Sequence, residues 1–205
     1  MKLQTLLATA QSNVAAVAAA LAPWKVAVNN RETAFDGIRK LVTRIVANLA
    51  ASGAPPNVIE DAKSIKRNID GARKKALPPD DPATPVDESA GISVSQQSYS
   101  QLVDHFDNLI QLLTNTATYI PNETALKVVT LNTLSASLKT ANNAVVAANT
   151  PLSNARIARN TTMYLEPKNM IDRALLVKKY VKSVFGADSP QYQQVSGLEF
   201  RRPRL

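Results

Sequence analysis

From Leu7 to Leu49 the chain returns an apolar side chain to one helical face every three or four residues. Leu7, Ala10, Val14, Val17, Leu21, Trp24 and Val28 lead, past a polar step at Arg31, to Phe35, Ile38, Val42, Ile45 and Leu49. A strand alternates faces with a period of two, so a register kept this long admits only helix. At 1.5 Å per residue it amounts to roughly 60 Å of rod. Such a rod cannot bury its stripe alone, and the partners it calls for are other helices. Pro23 removes one hydrogen bond and bends the axis. The register survives it, which favours one bent helix, with Asn29–Asn30 as the other point of weakness.

The same pattern recurs downstream. SGAPPN, residues 52–57, stops the first helix, because glycine suits a helix end and the prolines prevent continuation. Val58, Ala62, Ile65, Ile69, Ala72 and Ala76 form the next stripe, and the acidic, proline-rich stretch 77–92 reads as a linker or loop. Ser93 with Gln96 offers a capping box for a helix carrying Tyr99, Leu102, Phe106, Leu109 and Leu113 inward. Leu131, Leu134, Leu138, Ala141, Val145, Ala148, Leu152 and Ala155 keep step across Pro151, predicting one kinked helix from about 122 to 163. Met170, Ala174, Val177, Val181 and Val184 make a last inward face that Gly186 ends, and 187–205 reads as an irregular basic tail.

The expected fold class is therefore all-α: an elongated antiparallel helical bundle of about five helices, two of them long and kinked at proline. Its segments are 1–76, the loop 77–92, a second helical segment 93–186 packing on the first, and the tail. Hydrophobic residues make up 45% of the chain but aromatic ones only 5%. That balance gives close helix approach and a shallow core, and it favours a slender assembly over a compact enzyme-like domain.

Two stretches resemble one another: VTRIVANLAASGAP (42–55) and VKKYVKSVFGADSP (177–190) align without gaps, pairing Val42 with Val177, Val46 with Val181 and Pro55 with Pro190. FDGIRKLV (35–42) likewise echoes FDNLIQLL (106–113). The two matches have different offsets, so convergent bundle patterning accounts for them better than one duplication.

Chemistry-bearing residues are sparse. There is no cysteine, which excludes disulfides and thiolate catalysis. The single histidine, His105, neighbours Asp104 and lies two residues from Asp107, and on a helix both carboxylates point elsewhere. The pairs Glu32/Asp36 and Asp104/Asp107 have no set of histidines with which to build a bundle metal site. Phosphate-binding, zinc-protease and EF-hand signatures are lacking. We expect a protein that is not an enzyme, with no catalytic residue, metal or cofactor.

The formal charge of +8 is uneven: 12 basic and 5 acidic residues in 1–76, none and 6 in 77–120, 12 and 5 in 121–205. LVKKYVKSVFG (176–186) concentrates it. With Val177, Tyr180, Val181 and Val184 inward, Lys178, Lys179 and Lys182 join Arg173 on the wet side. Arg73, Lys74 and Lys75, and Arg201, Arg202 and Arg204, extend this into a composite anion-binding surface if folding brings them together. The expected function is that of a helical scaffold, adaptor or assembly protein working through protein partners or self-association. The alternative is a nucleic-acid-associated helical protein. Lys2 and the following apolar run resemble the start of an export signal, but Gln11, Ser12 and Asn13 interrupt it. Uninterrupted apolar stretches are too short to span a bilayer. A cytoplasmic protein with no transmembrane segment and no membrane-surface role is expected.

Overall fold

The computed structural model describes residues 3–71, 97–165 and 169–201, and all regular structure among them is helical. The helices are α1 (Leu3–Phe35), α2 (Ile38–Ala51), α3 (Pro56–Asp70), α4 (Tyr99–Thr114), α5 (Val128–Asn160), α6 (Met170–Phe185) and α7 (Pro190–Ser196). The all-α bundle expected from periodicity is what the chain forms. The acidic linker, Ala72, Ala76 and the Ser93–Gln96 box lie outside the described residues.

The long helices run on through their prolines, as expected: α1 continues through Pro23 and Asn29–Asn30, and α5 through Pro151. Both prolines are exposed, as are Ala19 and Ala147 four residues before them, so the carbonyls left without a donor face water. The first long register instead breaks at Asp36–Gly37, where Gly37 adopts a left-handed φ of 77°. α4 begins at Tyr99, capped by Ser98 Oγ, which accepts from the Gln101 amide. α5 begins at Val128 rather than near 122, because turns fill the preceding stretch. There buried Tyr119 donates its hydroxyl to the Leu126 carbonyl at 2.9 Å. The tail expected to be irregular contains α7, for which Ser189 supplies the cap and Pro190 the first turn.

The chain divides into two compact units, Val28–Val145 and the paired termini Met1–Ala27 with Val146–Leu205. The boundaries fall inside α1 and α5. The first, here the bundle unit, holds a continuous apolar core. Phe35, Ile38, Val42, Ile45 and Leu49 meet Ile69 of α3, Leu102, Phe106, Leu109 and Leu113 of α4, and Leu131 and Leu138 of α5. Most of the described stripe positions expected there are buried, and the others, such as Val58, Ile65, Tyr99 and Leu134, are half-buried against the same core. The short link Ser52–Pro55 folds α3 back against α2, with Gly53 at φ 74° ending the α2 turn. The C-terminus of α3 is held by side chains. Arg39 Nε donates to the Ile69 carbonyl at 3.2 Å, and Gln97 Nε2 to that of Asn68 at 2.8 Å.

The terminal unit has a thinner, partly polar interior. Leu6, Ala10, Leu152 and Ile171 are buried, together with Thr162 and Asn169. After Asn160 the α5 spiral widens into a π-helical segment, Thr161–Leu165. Beside it Asn13 Nδ2 donates to the Ala158 carbonyl at 3.3 Å and to Thr162 Oγ1 at 3.0 Å. The asparagine that interrupts the apolar run of α1 thus satisfies acceptors where the helical ladder is irregular.

Candidate functional site

α6 starts at a well-built cap. Buried Asn169 accepts from the Asp172 amide at 2.9 Å, and its Nδ2 donates to the Tyr164 carbonyl and to Asp172 Oδ2. At the other end the Gly186 amide donates to the Lys182 carbonyl, and φ of 85° at Gly186 turns the chain away. Between these ends the expected orientation holds only in part. Ile171 is buried, and Ala174, Lys178 and Val181, spaced three and four apart, are half-buried. Val177, Tyr180 and Val184, expected inward, are 40%, 68% and 52% exposed, and Leu176 beside them is 59% exposed.

The reason lies with α7. Its last carbonyls need donors, and Lys178 Nζ donates to that of Ser196 at 2.8 Å and, just beyond the helix, to Leu198 O at 2.9 Å. The long aliphatic stem lets this lysine lie along the protein while its ammonium meets the negative end of the short helix. Lys182 approaches the Tyr192 ring, 5.7 Å from its centroid. The face with Lys178 is therefore occupied, and the Leu176–Val177–Tyr180–Val184 stripe faces solvent.

Two apolar depressions adjoin this stripe. One, of about 220 Å³, is lined by Leu3, Arg173, Leu176, Val177 and Tyr180. The other, of about 390 Å³, lies along α1, where Leu7, Ala10, Val14 and Ala18 face Met163 and Met170. Leu7 and Val14, expected in the core, are 43% and 48% exposed, because only Leu6 and Ala10 of this stretch find cover. Leu3 and Leu7 are one helical turn apart, as are Met170 and Arg173, so the depressions follow one another along α1 and α6. Apart from Ile120 and Val129, the exposed large apolar side chains among the described residues all belong to the terminal unit.

Of the basic residues proposed for an anion surface, Arg173, Lys178, Lys179 and Lys182 share α6. Lys178 turns toward α7, Lys179 and Lys182 are exposed, the latter beside the Tyr192 ring, and Arg201 pairs with Glu199 at 2.7 Å. Arg73, Lys74, Lys75, Arg202 and Arg204 lie outside the described residues. Charge nevertheless divides sharply between the units. The terminal unit carries 12 basic and 4 acidic residues, and the bundle unit 12 of each, so the whole excess of +8 belongs to the unit with the bare apolar face.

The bundle unit has a cleft and several polar groups of its own. A cleft of about 600 Å³ opens at the α1–α2 break beside Phe35, Gly37, Arg39, Gln97 and Tyr99. Its Arg39 and Gln97 bond each other and the end of α3. His105 is half-buried with no partner at Nε2, while Asp107 bonds Ser135 and pairs with Lys139. No three His, Asp or Glu side chains gather among the described residues.

The sequence from Leu3 to Ala51 is, by length and composition alone, apolar enough to cross a membrane. The core helix of a soluble protein and a signal sequence near an N-terminus meet the same criterion. Comparison with protein-family models, curated proteins and solved structures finds no match for this chain.

Sequence reasoning missed the polar interior formed by Asn13, Thr162 and Asn169. Asn13 carried a signal, as a lone amide inside an apolar run. Asn169, three residues before Asp172, carried another, as a helix cap.

Proposed function

We propose that this protein is a non-enzymatic helical scaffold or assembly component that works through protein–protein contacts made by its terminal unit. One observation carries the reading: large apolar side chains left exposed are concentrated in that unit, while the bundle unit buries the same kind of stripe. Contiguous apolar surface of this kind marks interaction sites in folded proteins. The scarcity of clustered acid, base and nucleophilic groups supports the same conclusion.

A photo-crosslinking amino acid placed at Leu7 or at Tyr180, with Lys63 of α3 as control, tests it in cells. Discrete crosslinked protein species from the first two positions and none from the third are expected. Crosslinks confined to nucleic acid or lipid, or none from any position, refute the proposal.

The concentration of positive charge in the terminal unit favours nucleic-acid association as a second reading. Against it, Lys178 is engaged with α7, and apolar side chains occupy the outward face of α6. Binding of a mixed-sequence duplex that weakens steeply with salt, and is lost on charge reversal at Lys179, would establish that reading.

A further inference from the structure

We infer that the outward stripe of α6, with the adjoining α1 positions Leu3 and Leu7, is the docking site for an amphipathic helix of an acidic partner protein. The inference rests on the proposed role in protein contacts and specifies the partner.

That the occupant is a helix follows from a comparison within the chain. At the offset that aligns Val42 with Val177, the residues Val42, Ile45, Val46 and Leu49 correspond to Val177, Tyr180, Val181 and Val184. The first four are 0–7% exposed, because α3, α4 and α5 cover them in the bundle unit. The second four keep the same spacing, but only Val181 is half-buried, and Val177, Tyr180 and Val184 are exposed. A three–four stripe is complementary to another helix, whose own side chains enter the spaces between successive turns.

That the partner is acidic follows from charge. The terminal unit is +8 by sequence, and α1 carries no acidic residue before Glu32. Lys179 stands exposed beside the stripe. Two copies meeting through this face would bring two such units together, with like charges opposed. A helix with Leu or Met on one side and Glu or Asp flanking it would bury the stripe and meet the positive field.

The test uses the full chain and three labelled helical peptides of about 18 residues, some five turns. One has leucine every three or four positions and glutamate elsewhere. The second replaces glutamate by lysine, and the third scrambles the acidic sequence so that no stripe remains. Binding is followed by fluorescence anisotropy at low and high salt. The acidic striped peptide should bind, with affinity falling about tenfold when salt is raised through the range in which surface charges are screened. The double change Tyr180→Glu and Val184→Glu should weaken it at least ~30-fold, the effect of losing a central contact. Ile120→Glu in the bundle unit should leave it unchanged, and circular dichroism checks that the variants are folded.

Equal binding of the lysine peptide overturns the charge assignment, and equal binding of the scrambled peptide overturns the helical stripe. Failure of all three peptides to bind the folded chain also overturns the inference. A homodimer in light scattering that Tyr180→Glu and Val184→Glu dissociate makes a second copy the occupant, which sinks this inference and leaves the proposed function standing. Loss of binding to phosphatidylserine vesicles in the same variant, with no peptide bound, makes the surface lipid-directed and removes both.

Discussion

The orientation of α6 can be tested by perturbing its two faces separately. Ile171, 6% exposed, points into the terminal unit. Ile171→Ala removes three buried carbons, worth about 0.8 kcal/mol each, and leaves a partly relaxed cavity, so a loss of about 2–4 kcal/mol is expected. Tyr180 and Val184, at 68% and 52% exposure, occupy the other face. Replacing both with glutamine keeps the inner part of each side chain and exchanges wet surface for wet surface, for a total under about 1 kcal/mol. If the Val177–Tyr180–Val184 face were the core, the order would reverse, and the double variant would lose more than about 4 kcal/mol. Urea denaturation provides the assay. Trp24, the only tryptophan, lies in the terminal unit and reports its unfolding by fluorescence, while far-ultraviolet circular dichroism follows the helices as a whole. With a urea dependence of about 1–3 kcal/mol per molar, Ile171→Ala should lower the tryptophan-detected midpoint by roughly 1–2 M and the glutamine pair by less than about 0.5 M. A larger shift in the glutamine pair would show that α6 packs by its other face, and the docking surface would go with it.

Three further outcomes are expected. Asn169→Ala removes the α6 cap and leaves the Tyr164 carbonyl without its donor, costing about 1–2 kcal/mol in the tryptophan-detected transition. Gly37→Ala should destabilise the bundle unit by about 1 kcal/mol in thermal unfolding. Nothing lies within 4 Å of the added carbon, so the cost comes from the left-handed backbone alone. Tyr119 has its hydroxyl pushed up to about 12 by burial, with the Glu123 carboxylate adding to it. The folded state therefore keeps a proton that the unfolded chain releases above about pH 10, and the associated stability is intact below pH 10 and lost as pH rises toward 12. Tyr119→Phe should lower stability near pH 7 by about 1 kcal/mol, for the lost bond to Leu126 O, and should lose less than the parent between pH 9 and 11.5 in urea titrations.

Where the chain is helical, and much of where each helix stops, could be read from local sequence. Helix and cap depend on steric limits and hydrogen bonds reaching only a few residues, which is why Gly53 and Gly186 end α2 and α6 as residue type suggests. FDG and FDN show the same locality. Gly37 breaks the long first register, whereas Asn108 at the matching place continues α4 without interruption. Pro23 and Pro151 leave their helices continuous, as the registers kept across them indicated, and the exposed backbone four residues earlier lowers their cost.

The sequence by itself thus determined an all-α chain, its apolar stripes and an excess of positive charge. It did not determine which stripes are covered. Val42, Ile45, Val46 and Leu49 are buried while Val177, Tyr180, Val181 and Val184, in the same spacing, are half-buried or exposed, because burial requires other segments to arrive on that side. α3, α4 and α5 supply that cover to the first set. For the second, the carbonyl end of α7 draws Lys178 to the opposite face of α6. A three–four pattern states that a surface is complementary to a helix; only the tertiary structure decides whether the chain provides that helix or leaves the surface for another protein.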